Sequence, residues 1–223
     1  TNWEMTTKLF ENVVPRIEKG MTERYVEGMF MSEMMTLGAE SYVQAFSPMV
    51  ATGPKNSFIS MCKNTMRQLQ ENEILNLAAG VCYEGYNGIC CSPLVLGEIP
   101  QKITDAVLCA YEALNEASAK MIPGTPCDVV LNAYTDYLTK YGYIDYCPYG
   151  SLHSTGMLEC EAPVFSVNNK RVIEEGMAIC IDAYFKGMEW GSFRVEDCYL
   201  ITEKGAQRMT TYNDKAIPAI FKK

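Results

Sequence analysis

The chain has 223 residues, 48% of them apolar and 21% charged, with 27 acidic against 19 basic side chains and a formal charge of −8. That length and composition suit one large soluble domain with a substantial core, and the acidity argues against nucleic acid or an anionic membrane surface as a partner. No apolar stretch approaches a membrane span and no signal peptide opens the chain, and the cysteine usage leads to the expectation of a reducing, cytoplasmic setting.

Residues 3 to 19 carry an amphipathic pattern with Leu9, Val13 and Ile17 on one side, which predicts a helix stopped by Gly20. Thr22 is placed to cap a second helix running to about Thr36 and closed by Gly38. Residues 42 to 52 have strand character and lead into a turn over Gly53-Pro54-Lys55-Asn56. Two strands, 74 to 80 and 81 to 86, are expected to meet at Gly80, and residues 89 to 96 continue as an extended run. Pro100 suits the first turn of a long helix to about Met121, whose seam includes Ile103, Val107, Ala110, Tyr111 and Leu114. Pro123-Gly124-Thr125-Pro126 breaks the chain before another helix, residues 127 to 140. The last third turns to strands, residues 177 to 182 and 193 to 202, with a turn over residues 203 to 206 before a terminal strand. Helices thus come in two pairs, each followed by strands, which suggests an internal α+β duplication.

Ten cysteines suggest a disulfide framework, but their spacing argues otherwise. Cys82, Cys90, Cys109, Cys180 and Cys198 lie inside apolar patterns, where cysteine behaves as a small hydrophobe, and a chain of this length needs no staples. Cys90 and Cys91 are adjacent, so they point to opposite faces of a strand and make a poor metal pair. The fourteen methionines read as core filler.

His153 is the only histidine, so any catalytic imidazole, proton shuttle or imidazole metal ligand is this one residue, and a polyhistidine zinc site is excluded. It stands in Leu152-His153-Ser154-Thr155-Gly156, followed by Cys160-Glu161-Ala162-Pro163. Together with Ile17-Glu18-Lys19-Gly20-Met21-Thr22-Glu23, Phe46-Ser47-Pro48-Met49-Val50-Ala51-Thr52-Gly53, the run from Leu77 to Gly80 before Gly85-Tyr86-Asn87-Gly88-Ile89, and Val195-Glu196-Asp197-Cys198-Tyr199-Leu200-Ile201-Thr202, this resembles the creatinase/methionine aminopeptidase/prolidase family (M24) over essentially the whole chain. The resemblance implies an α+β pita-bread fold over residues 1–223, a single domain whose curved antiparallel sheet carries two helix pairs on its outer face and a pocket on the inner one. It also implies that an N-terminal domain belongs with it in a longer chain, and that the full-length protein is a homodimer. The start at Thr1, without methionine, fits an excised or processed chain.

Active peptidases of the family hold two metal ions with two Asp, one His and two Glu. Carried over, the two Asp positions fall on Ala78 and Ile89, the His on His153, the first Glu on Asp182 and the second on Glu196. Two further family histidines fall on Ser60 and Cys160. Losing both aspartates removes the carboxylates that bridge a dinuclear centre. No cofactor is therefore expected, with His153, Asp182 and Glu196 left as candidates for one weakly held divalent ion.

Three readings follow. In the first, the domain is a creatinase- or Xaa-Pro-peptidase-like hydrolase with a degenerate metal site, cleaving a C–N bond of a small substrate or short peptide without metal. His153 is then general acid or base, Asp182 and Glu196 orient it or bind a cationic group, and Tyr86, Ser60, Cys160 and Glu161 contact substrate. In the second, the pocket binds a peptide or small ligand without chemistry. In the third, an Xaa-Pro dipeptidase survives on a single metal. Each residue also has a plainer reading. His153 is as readily a structural histidine. Asp182 is as readily the partner of Arg194 in an ion pair. One of Glu196 and Asp197 is expected to face water, Glu159 and Glu161 read as a solvated pair on one strand face, and Cys160 reads as a packing cysteine rather than a nucleophile.

Overall fold

The computed structural model describes residues 1–44, 46–57, 61–148 and 152–222. Helix α1 (Asn2–Val13) opens on a capping box, in which the Thr1 hydroxyl accepts from the Glu4 amide while the Glu4 carboxylate reaches back to the N-terminal amine. It stops earlier than its apolar pattern predicts. Pro15 lacks an amide proton, and the chain tightens into a 3-10 turn over Val14–Arg16. Helix α2 (Glu23–Thr36) starts as expected, with the Thr22 hydroxyl accepting from the Tyr25 amide at 3.1 Å. Residues 53–56, expected as a turn, form one helical turn, α3 (Gly53–Asn56). Helices α4 (Gln101–Ser118) and α5 (Cys127–Lys140) lie where the sequence places them.

The strands are β1 (Ser41–Tyr42), β2 (Met49–Thr52), β3 (Ile74–Tyr83), β4 (Tyr86–Val95), β5 (Leu152–Ser154), β6 (Glu161–Val164), β7 (Ala178–Met188), β8 (Gly191–Thr202) and β9 (Gly205–Arg208). They form one sheet in the order β1-β3-β4-β8-β7-β5-β6, with β2 also on β3 and β9 also on β8, and every ladder is antiparallel. The expected break at Gly80 is absent. Residues 74–83 run as one strand, and the hairpin turns at Glu84 and Gly85, both with positive φ (53° and 77°). Gly80 is needed for another reason: a Cβ there would lie 2.0 Å from the carbonyl oxygen of Gly88 on β4.

Strand alternation sorts the side chains into two layers. On the outer face, Leu75, Leu77, Ala79, Val81 and Cys90 pack under α1 and α2. Ile179, Ile181, Ala183, Phe185, Phe193, Val195 and Tyr199 pack under α4 and α5. The inner face of the hairpin carries Ala78, Ile89 and Cys91, joined by Cys180 and Cys198 from the second half. The two halves, each a helix pair followed by strands, meet where Cys91 of β4 registers with Glu196 of β8. All ten cysteines are free, eight of them buried. The methionines are not uniformly core filler, for Met35, Met61, Met66 and Met157 are exposed. Among the described residues no helix is long and apolar enough to cross a membrane.

A sixth helix, α6 (Tyr212–Phe221), follows β9 and was not foreseen. Its Asn213 is fully buried and fastens the seam from outside. The side-chain amide stands 3.0 Å from the carbonyl oxygen of Cys91, 3.3 Å from that of Glu196 and 3.1 Å from Asp197 Oδ1. Replacing Asn213 by Ala strands these acceptors where water does not reach. We expect Asn213→Ala to lose roughly 2–4 kcal/mol in urea unfolding with an unchanged m-value; a loss under ~0.5 kcal/mol would show that the staple does not hold the seam.

Candidate functional site

Period-2 alternation brings the candidate residues together. Leu152 and Ile181 face the outer core, so their neighbours His153 and Asp182 face inward. On β8, Val195 faces outward while Arg194 and Glu196 face inward, and Glu196 registers with Asp182 across β7. These four residues, with Cys91, Glu159, Cys160, Phe46, Met49 and Met61, line a cavity of about 180 Å³.

The three expected catalytic residues do share this cavity, but not in the expected arrangement. Asp182 Oδ2 accepts from Arg194 Nε at 3.2 Å, so the ion pair weighed as the plainer reading is formed. The Arg194 guanidinium lies over the Tyr184 ring, 4.2 Å from its centroid. The residues gathered on His153 are instead Glu196 and Glu159. His153 Nε2 lies 3.8 Å from Glu196 Oε1 and 3.7 Å from Glu159 Oε1. The other ring nitrogen, Nδ1, stands 3.0 Å from the Ser154 carbonyl oxygen. A carbonyl only accepts, so Nδ1 carries the proton, and in the neutral ring Nε2 presents its lone pair to the two carboxylates.

The expectation that either Glu196 or Asp197 faces water is wrong, because both are buried. They lie on opposite sides of the sheet. Asp197 turns outward, where its Oδ1 accepts from Thr210 and Asn213, and burial raises its carboxyl to about 7. Glu196 turns inward, where its Oε2 accepts the Cys91 thiol at 2.9 Å. Its Oε1 is buried and accepts no hydrogen bond from the described residues. Burial, then Asp182 and Glu159, holds the Glu196 carboxyl well above the usual range. Glu159 is also raised by burial, with His153 pulling the other way.

Glu159 and Glu161 are not a solvated pair on one strand face. Glu159 lies in the bend before β6 and is partly buried beside His153, whereas Glu161 opens β6 and accepts from the Leu158 amide at 3.0 Å. Glu161 and Tyr86 line a separate cavity of about 420 Å³ with Asn2, Trp3, Asn87 and Met157 rather than the one around His153. Cys160 does line the His153 cavity but is exposed, so it is not the packing cysteine expected; desolvation and the neighbouring carboxylates raise its thiol, which does not favour the nucleophilic thiolate. Ser60 lies outside the described residues.

Ala78 and Ile89, where the resemblance would place the two aspartates, are almost completely buried on the inner face of the β3–β4 hairpin. They sit in a cluster with Val43, Met49, Ala51, Cys62, Cys91, Cys180 and Cys198. The donors gathered closely enough to share an ion, among the described residues, are His153, Glu159 and Glu196, whose ligand atoms lie within 4.8 Å of one another. The expectation of no cofactor is thus unsupported, and the expected donor set containing Asp182 gives way to one containing Glu159. The cavity wall owes its placement to Glu23, the first residue of α2. Its buried carboxylate accepts from the amides and hydroxyls of Thr52 and Thr65 and from the Asn56 side chain, pinning both ends of the segment that brings Met61 to the cavity.

The family model of metallopeptidase family M24 matches residues 3–203. An Xaa-Pro dipeptidase of Pyrococcus furiosus is 27% identical over 207 residues, 93% of this chain and 59% of the relative. One from Pyrococcus horikoshii is 26% identical over 207 residues, 93% of this chain and 58% of the relative. Among solved structures, the prolidase from Pyrococcus furiosus superposes with a TM-score of 0.87 at 26% identity, covering 94% of this chain and 61% of that one. The chain therefore spans about three-fifths of the length of the curated relatives it matches. With the family model covering nearly all of it and the antiparallel sheet and helix pairs of the pita-bread fold in place, this chain belongs to metallopeptidase family M24.

Proposed function

We propose that the domain is an Xaa-Pro-dipeptidase-like hydrolase in which the dinuclear centre has degenerated, cleaving the amide C–N bond of a short peptide or small substrate. The observation that carries this reading is the convergence of His153, Glu159 and Glu196 in one cavity beside the neutralised Asp182–Arg194 pair. Amide hydrolysis needs a base to take a proton as water attacks the carbonyl carbon and an acid to return one to the leaving nitrogen. With Nδ1 occupied by the Ser154 carbonyl, His153 Nε2 is the atom free to exchange that proton. The raised Glu159 and Glu196 carboxyls are suited to pass it on. A cavity of about 180 Å³ fits a small or two-residue substrate rather than a folded protein.

The purified chain should turn over at least one member of a panel of Xaa-Pro dipeptides, small amides and guanidino compounds, assayed with added divalent metal and with chelator. His153→Ala should lower kcat/KM at least ~100-fold without changing the melting temperature. Turnover untouched by His153→Ala would reject the assigned role, and no turnover of any substrate would reject the reading.

A second reading, a ligand-binding domain without chemistry, is favoured by the apolar filling at Ala78 and Ile89. Saturable dipeptide binding in calorimetry without turnover would select it. Both readings require that the hairpin no longer serves metal. Ile89→Asp should then cost roughly 3–5 kcal/mol by burying a charge among apolar groups. Full recovery of stability in an Ala78→Asp/Ile89→Asp variant on adding Mn²⁺ would show a hairpin still built for two ions.

A further inference from the structure

We propose that His153, Glu159 and Glu196 bind a single divalent first-row cation, with Glu159 supplying a ligand from a position to which the family pattern assigns none. This deepens the hydrolase reading, on which it rests for its purpose though not for its geometry: with the ion bound, His153 Nε2 would be a ligand rather than the proton carrier, and the ion would supply the activation of the attacking water.

The Ser154 carbonyl fixes the imidazole so that Nε2 offers a lone pair. That lone pair meets Glu159 Oε1 at 3.7 Å and Glu196 Oε1 at 3.8 Å, separations too long for hydrogen bonds. Ligand atoms about 2.1 Å from one ion stand roughly 3.0–3.5 Å apart, so small side-chain rotations bring the three onto a common centre. Glu196 contributes a second, independent indication. It is 3% exposed, its Oε2 is held by the Cys91 thiol, and its Oε1 turns to the imidazole with no donor of its own among the described residues. A lone pair and two carboxylate oxygens facing one another repel unless positive charge, a shared proton or a cation, lies among them.

Charge sets the number of ions. Asp182 is balanced by Arg194 and a neutral imidazole ligand adds nothing, so Glu159 and Glu196, giving up their protons as a cation binds, leave −2. One divalent ion makes the cavity neutral. A second would bring +2 into a buried space whose remaining walls are Phe46, Met49, Met61, Cys91, Cys160 and the already paired Asp182 and Arg194. One imidazole with two carboxylates suits manganese, iron or cobalt, and Cys91 acts as a positioning residue by orienting the Glu196 carboxylate.

Mn²⁺ is the probe of choice because it ignores the ten thiols. Chelator-stripped chain titrated with Mn²⁺, with free ion followed by electron paramagnetic resonance, should bind one equivalent. Glu159→Gln and His153→Ala, each checked for an unchanged melting temperature, should weaken binding at least ~100-fold. Two equivalents, no binding, or full affinity in Glu159→Gln would overturn the proposal. One equivalent bound without turnover of any substrate upholds the cation site while removing the hydrolase reading. Turnover in protein that binds no Mn²⁺ does the reverse.

Discussion

The site depends on the seam between the two halves of the sheet. β4 and β8 register at Cys91 and Glu196, and that same pair carries the 2.9 Å thiol–carboxylate hydrogen bond. A buried carboxylate is tolerated only where something donates to it, and here the strand pairing itself delivers the donor. Asn213 reinforces the junction from the outer face by reaching both backbone carbonyls of the pair. The geometry around His153 is thus a consequence of how the halves close, since one wall of the cavity comes from each side of that line.

Strand alternation then divides the labour between two adjacent acids. Glu196 turns into the cavity, while Asp197 turns into a network of Thr210, Asn213 and Arg208 beneath the terminal helix. The first has an oxygen that faces an imidazole and accepts no hydrogen bond from the described residues, and the second is consumed in holding the fold. A similar division separates Asp182 from Glu159. The strand carboxylate is tied to Arg194, and the bend carboxylate is the one that reaches His153. What the hairpin lacks in acidic groups at residues 78 and 89, the segment after β5 partly supplies from the other side.

Much of this was legible in the sequence. The two helix pairs, the cap at Thr22 and the start of the long helix beside Pro100 follow from periodicity and capping, and the gathering of His153, Asp182 and Glu196 in one pocket follows from the family resemblance. Positions that depend on irregular backbone were not legible. Glu159 lies in a bend, where no period assigns a direction, so strand logic grouped it wrongly with Glu161. Gly80 looked like a turn because glycine usually breaks strands, whereas here it admits the close approach of β4. The terminal helix was hidden by Pro218 within it and by the absence of a side-chain cap at Thr211. The Asp182–Arg194 pair was legible as one of two readings of Asp182, and only cross-strand register decides for it.

The central claim, one cation site in place of two, is most directly tested by anomalous diffraction at the manganese edge from crystals of the chain grown in Mn²⁺. The account predicts one anomalous peak within coordination distance of His153 Nε2, Glu159 and Glu196, and none beside Ala78 or Ile89. Two peaks bridged by Asp182 and Glu196, with Glu159 turned away, would contradict it.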